Sequence, residues 1–443
     1  MKVTFVVPAI GKKPGQRYIG TWKMEPLTVA ALQALTPPDV ETELFDDRLE
    51  LIDYDTATDL VALPLETYTA RRAYAIAARF RARGVRVVMG GYHATLAPDE
   101  TAEHADAVVV GNAESVWATL LADAASGRLR RRYEGGVCAA PPPPDKRIFA
   151  GKRYLPVGLV ETGRGCGHVC EFCAIAGFYR HRYHPRPVDD IAADLERSPH
   201  RYQFLVDDNL MADREHLTRL ADRIAPLGKK WAGQGTLDLA RDPALLARLK
   251  RSGCELILIG FESLEDASLR QMRKPWNAVL GERSALVRRI HDAGIGIYAT
   301  FVFGYDGDTA ATFERTLEFA EEARFFTAAF NHLLPFPGTP LYDRLAAEGR
   351  LLHDKWWLAE GYSYGQVAFR PATMSAEELA SRCRDARKRF AAPRNLGRRG
   401  LASLRRSAPR EWPLFWAMNT RLGEEVDEKM NVPLAANLDA WPK

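Results

Sequence analysis

The sequence contains no run approaching the ~18 to 20 apolar residues that a bilayer span requires, so no transmembrane segment is expected. Its first residues, "MKVTFVVPAI", form an apolar stretch of strand length with no small-residue cleavage site behind it, which predicts a cytoplasmic chain without a secretory leader. Cysteine is sparse, six in 443 residues, and clustered, which excludes a disulfide framework and points to metal chemistry in a reducing compartment. There is no low-complexity tract. The net charge of +4 is small for this length, so no nucleic-acid partner is expected. A G-x-G-x-x-G turn is also missing after the first apolar run, where "PAIGKKPGQRYIG" stands instead, and this argues against a dinucleotide cofactor.

What is present is the pattern of an α/β enzyme of two or three domains, 47% hydrophobic and 27% charged. "KVTFVVPA", "VETELFDD", "TDLVALPLET", "VRVVMGG" and "ADAVVVG" have the composition of strands. Helical spacing in "PLTVAALQALTP" and "YTARRAYAIAARFRARG" alternates with them and predicts a doubly wound parallel sheet over residues 1–136. Ligands of such a sheet bind beyond the carboxyl ends of its strands, here the loops at 65–69, 90–95 and 111–115. Four consecutive prolines mark a linker, residues 137–150. A second series, "LVETGRGC", "QFLVDDN", "KWAGQGTL", "ELILIGFES", "GIYATFVFG" and "TAAFNHLLPF", has helical patterns between its members and predicts a partial or full βα barrel over 151–350. Residues 351–443, helical and Trp-rich, read as a cap that includes an arginine-rich run beginning at "RCRDARKRF".

Three of the six cysteines, Cys166, Cys170 and Cys173, lie within "ETGRGCGHVCEFCAIAGFY". Thiolates bind soft metals, and structural zinc ordinarily takes four protein ligands. No fourth cysteine is near, His168 sits too close in sequence to serve with assurance, and Cys138, Cys254 and Cys383 are scattered. A [4Fe–4S] cube held by three thiolates keeps one iron open, which suits chemistry rather than electron storage alone. A zinc knuckle is the competing reading.

The spacing C-x₃-C-x₂-C, with Phe172 before the third cysteine and a strand just upstream, resembles the signature of the radical SAM superfamily. The resemblance implies that the free iron chelates S-adenosylmethionine, whose one-electron cleavage yields a 5′-deoxyadenosyl radical. That radical takes a hydrogen atom from an unactivated carbon of a small-molecule substrate. It also implies an external one-electron reductant of flavodoxin or ferredoxin type. On the matching segments, Gln234 ("QGTLD") and Glu262 ("GFESL") would contact SAM, Asp207, Asp208 and Asn209 ("VDDN") would line the catalytic cavity, and Phe172 and Gly304 ("VFGYDGD") would belong to the cofactor-binding frame, Gly304 as a tight-turn residue.

Residues 63–117 resemble the cobalamin-binding, Rossmann-like domain that precedes the barrel in one branch of that superfamily. The resemblance places Glu66, Thr67, Tyr68 and Thr69 under the corrin, with Gly90, Gly91, Tyr92 and His93 in the "GGYH" loop and Gly111 and Glu114 in the "G-x-A-E" turn. The D-x-H-x-x-G motif of many cobalamin proteins is absent, so a protein ligand below the cobalt is not identified, and His93 reads as a hydrogen-bonded loop residue in preference to a cobalt ligand. A cobalamin-dependent C-methyltransferase is the implied activity, with methylcobalamin as methyl donor. Cyclisation, rearrangement or oxidation with the same cofactors, and a barrel enzyme with an empty first domain, stay open. The C-terminal aromatics Trp356, Trp357, Tyr362, Tyr364, Trp412 and Trp416 suit an aromatic or apolar substrate or simple core packing.

Overall fold

The β-branched runs form two separate parallel sheets in the computed structural model, which describes residues 1–138, 141–274, 283–406 and 412–440. The first comprises β1 (Lys2–Val7), β2 (Glu41–Asp46), β3 (Leu60–Pro64), β4 (Arg86–Gly90), β5 (Ala107–Gly111) and β6 (Arg132–Gly135), in the order β2-β1-β3-β4-β5-β6. Every pairing is parallel. β1 reads "KVTFVV" and is buried at five of its six positions, as a strand covered on both faces should be. β6 was not anticipated: "RYEG" buries only Tyr133 and so carries no apolar run to see. Strand order reverses between β1 and β3, and the crevice above their carboxyl ends is the topological switch point.

The second sheet comprises β7 (Gly158–Glu161), β10 (Tyr202–Val206), β11 (Lys230–Gly235), β12 (Cys254–Glu262), β13 (Gly296–Phe303) and β14 (Thr327–His332), paired in sequential order and all parallel. A short antiparallel ribbon, β8 (Gly163–Gly165) with β9 (Tyr183–Pro185), is inserted after β7. Sequential βα units describe a partial barrel, and among the described residues β7 and β14 do not pair with each other. Alternation along β13 separates its two faces. Ile297, Ala299, Phe301 and Phe303 join the core under the helices, while Tyr298, Thr300 and Val302 stay half-buried on the other face. β11 repeats this with Ala232 and Gln234 half-buried. The inner face is thus left open, whereas an ordinary barrel fills it with layered side chains.

The last ninety residues do not form one unit. Trp356, Trp357, Tyr362 and Leu434 enter the apolar core of the first sheet, while helix Ala376–Ala391 sends Leu379, Cys383, Ala386 and Phe390 into that of the second. Ala435 N–H returns to the Ile10 carbonyl at 2.6 Å. The side chain of Trp412 lies outside the described residues, as do linker residues 139–140. No helix among the described residues is long and apolar enough to cross a membrane.

Candidate active site

Cys166, Cys170 and Cys173 sit on the loop between β8 and the helix Ala174–Tyr179, all three free and half-buried. Burial pushes the Cys170 thiol up to about 12 and raises Cys173. The loop is braced from several directions. Gly165, at φ +83°, approaches so close to the Arg182 carbonyl that a Cβ would lie 2.1 Å from it. Glu171, between two of the cysteines, donates its N–H to Met272 O (3.1 Å), accepts from Leu341 N–H (3.0 Å) and is ion-paired through its carboxylate with Arg344 at 2.8 Å. Phe172 packs partly buried against the barrel core.

The "VDDN" carboxylates, expected to line the cavity, divide. Asp207 is 6% exposed and turns into the β8–β9 ribbon, accepting from Tyr183 Oη (2.8 Å), Thr162 Oγ1 (2.9 Å) and Asn209 N–H (2.8 Å). Burial raises its carboxyl to about 6 in spite of those donors. Asp208 accepts from Gly165 N–H at 2.6 Å, the peptide just before Cys166. Asn209 Nδ2 points at Cys166 Sγ, 3.7 Å away, and its Oδ1 caps the turn that follows. The trio therefore shapes the cysteine loop, and Gln234 Nε2 joins it by donating to Asp208 O at 3.1 Å.

Glu262 ends β12 at φ +61°, a left-handed conformation that a non-glycine residue holds only under constraint. Its carboxylate is buried against Lys274 Nζ at 2.8 Å, and Lys274 also donates to Gly260 O. The Lys274 charge reaches Cys170, whose thiol it partly offsets against burial. Gly304, at φ +117°, donates its N–H to buried Asp308 Oδ2 (2.8 Å) and serves as a turn residue beside the site.

Three comparisons bear on this loop. Residues 160–320 match the family model of the radical SAM superfamily. The chain is 30% identical over 370 residues to bacteriochlorophyllide d C-12(1)-methyltransferase of Chlorobaculum tepidum, covering 80% of each protein. It is also 30% identical to the C-8(2)-methyltransferase of the same organism, over 74% of this chain and 78% of that one. The chain belongs to the radical SAM methyltransferases. Among solved structures, the fold matches TsrM of Kitasatospora setae, determined with cobalamin and a [4Fe–4S] cluster, at a TM-score of 0.69 over 96% of this chain and 99% of that one, with 14% identity. It matches OxsB, determined with aqua-cobalamin and S-adenosylmethionine, at 0.67 over 96% and 72%, with 12% identity.

In this radical SAM enzyme the first sheet meets the cysteine loop directly. Arg164, two residues before Cys166, forms a bidentate pair with Glu161 (2.6 and 2.9 Å) and reaches Glu114 Oε1 (2.6 Å) and Asn112 Oδ1 (3.0 Å) on the turn after β5. The Glu114 carboxylate is thereby committed to the barrel. Tyr92 packs against Phe178 of the helix behind the cysteines, its ring tilted by 56° with centroids 4.8 Å apart. Gly111 donates its N–H to Thr95 Oγ1 (2.9 Å), and Gly90 accepts from Leu65 N–H (2.9 Å), which closes the β3 and β4 loops on each other. Gly91, at φ +102°, lies against Leu65 O.

The β3 loop alternates. Thr67 and Thr69 are buried, Thr69 hydroxyl bonding Glu66 backbone and Thr67 hydroxyl bonding His93 Nδ1 at 3.2 Å. Glu66 stays accessible while desolvation raises its carboxyl, so its side chain sits in a recess of the fold. Tyr68 is half-buried beside it. His93, considered as a residue beneath the cobalt, is fully buried, with Nε2 held by Tyr74 Oη (3.2 Å) and Glu100 Oε1 (3.1 Å); both ring nitrogens are engaged by protein. Sequence reading did not single out Arg164, Lys274 or Glu171. Glu171 stands inside the cysteine motif and Arg164 just ahead of it, but nothing in their spacing names their partners.

Proposed function

We propose that this radical SAM enzyme is a cobalamin-dependent C-methyltransferase acting on an unactivated carbon of an aromatic small molecule, by analogy with its bacteriochlorophyllide relatives a planar tetrapyrrole. The observation that carries the reading is the Arg164–Glu114 pair, which holds the strand-end loops of the first sheet against the cysteine loop. Chemistry at one carbon from two cofactors requires both to face one cavity.

Cys166, Cys170 and Cys173 would hold the cluster, three thiolates with Asn209 Nδ2 as a donor to the first. Cobalamin would lie over Glu66 and Tyr68, which stay accessible while Thr67 and Thr69 are buried. The cluster with S-adenosylmethionine supplies hydrogen abstraction, and cobalamin supplies methyl transfer. The protein's part is positioning. Glu262 and Gln234 present a carboxylate and an amide on the inner face for SAM, and Asp208 and Asp207 fix the cysteine loop. A flavodoxin- or ferredoxin-type protein would deliver the electron, and free thiols reserved for iron suit a reducing, cytoplasmic compartment.

The test is anaerobic incubation of the reconstituted enzyme with bacteriochlorophyllide d and SAM labelled at its methyl group with deuterium. A labelled methyl in the product supports the reading. A product changed without label, as a cyclase or oxidase would give, overturns it.

A further inference from the structure

Helix Ala376–Ala391 carries five basic residues from Arg382 to Arg389, and four of them are matched: Arg382 with Glu378, Arg384 and Lys388 with Asp427, Arg389 with Glu314. Arg387 is the exception. Among the described residues it has no carboxylate partner, although it is half-buried and points back under the barrel edge. Its Nε donates to Phe330 O (2.8 Å) and its Nη2 to Asn331 Oδ1 (2.6 Å), both on β14. Those two bonds aim the guanidinium and leave three of its five N–H groups unused.

The side chains around it are those of a binding wall rather than a core. Its two acceptors immediately precede His332, whose Nε2 reaches the Gly365 carbonyl next to Tyr364, and its charge is felt at Tyr68, Tyr298, Tyr364 and His332. Among the described residues none of the three hydroxyls has a hydrogen-bond partner, and all three tyrosines are only half-buried. Tyr68 and Tyr364 lie with ring centroids 5.0 Å apart, and Phe336 adds an edge to Tyr68 at 6.4 Å. His332 is fixed between the carbonyls of Leu333 (3.1 Å) and Gly365 (3.2 Å). Tyr68 belongs to the β3 loop and Tyr298 to the inner face of β13, so the wall spans the space between the two sheets. Glu425 is the carboxylate that reaches Tyr298, and it is already paired with Lys429 at 2.8 Å.

A half-buried guanidinium costs desolvation energy without a counter-charge, and its planar fork fits a carboxylate in bidentate fashion. We propose that Arg387 anchors a carboxylate of the substrate, with Tyr298 and Tyr364 against its aromatic body, so that the enzyme takes a planar aromatic acid. The assignment rests on the reading above of an aromatic substrate held between the two sheets.

It is tested by titrating the reconstituted holoenzyme with protoporphyrin IX and, separately, with its dimethyl ester, following tryptophan quenching and the porphyrin absorption band. The acid should bind about tenfold or more tightly than the ester. Arg387→Gln should erase that preference, and Arg387→Lys should keep part of it. Iron content and melting midpoint report whether a variant is folded. If Arg387→Gln is not folded, the acid–ester comparison on the natural protein and on Arg387→Lys decides. Equal binding of acid and ester, binding of neither, or an unchanged preference in folded Arg387→Gln overturns the assignment. Failure of the methyl-label experiment with the acid preference intact would instead remove the methyltransferase reading and leave the carboxylate anchor standing.

Discussion

Arg164 donates to Glu114 across 2.6 Å, and this single pair joins the turn after β5 of the first sheet to the residue two before the first cysteine of the barrel. The guanidinium is simultaneously bidentate on Glu161, so two carboxylates and one cation are withdrawn from water together. Such a pair contributes little net stability when complete, but removing its cation strands both anions.

Arg164→Ala should therefore lower the free energy of unfolding by about 3 kcal/mol. Urea denaturation followed by circular dichroism measures this, and adding Glu114→Gln to the variant should recover part of the loss. An Arg164→Ala protein as stable as the natural one would show that the pair is exchanged with solvent.

Glu262 offers a separation of strain from charge. Glu262→Gln keeps the φ of +61° and leaves Lys274 buried without its partner, whereas Glu262→Gly loses the same partner but accepts that φ freely. The glycine variant should be the more stable of the two by about 1 kcal/mol. Both should bind SAM more weakly, which equilibrium dialysis with labelled SAM measures.

Glu100 ties the C-terminal segment to the first sheet. Its carboxylate accepts from Trp357 Nε1 (2.9 Å) and Tyr74 Oη (2.9 Å) and pairs with Lys355 and His93. Burial opposes its charge, but the donors, His93 first, win and bring its pKa from 4.5 to about 2. The folded state thus binds fewer protons than the unfolded one. The stabilisation, on the order of 3 kcal/mol, is complete above pH 4.5 and fades as the pH falls toward 2. Tryptophan emission should report loosening of Trp357 across that window, and Glu100→Gln should flatten the pH dependence.

Five of the six cysteines should divide cleanly in iron content. Alanine at Cys166, Cys170 or Cys173 should prevent retention of the cluster after anaerobic reconstitution. Cys254 and Cys383 are buried among core side chains, so Cys254→Ala and Cys383→Ala should keep full iron and lose about 1 kcal/mol of stability each. Iron loss in either core variant would show a fourth protein ligand.

Sequence by itself determined the cysteine loop and most of the strands, because both are local. The three thiols are set by spacing, and strands such as β1, β5 and β12 are apolar runs whose burial needs no knowledge of their neighbours. β6 escaped because its burial comes from one tyrosine, and the β8–β9 ribbon because its pairing is held by Asp207 and Tyr183 rather than by pattern. The roles within "LETYT" and "VDDN" were decided only by the tertiary structure. Alternation can say that neighbours face opposite ways, but the side with the cavity depends on what packs opposite. There Thr67 met His93, Asp207 met Tyr183, and Glu66 and Tyr68 were left facing the open space. Charge pairs lie at the far end of the same scale. Arg164 with Glu114, Lys274 with Glu262 and the unmatched Arg387 are each fixed by how their elements pack or by the absence of a partner, and no spacing in the sequence encodes them.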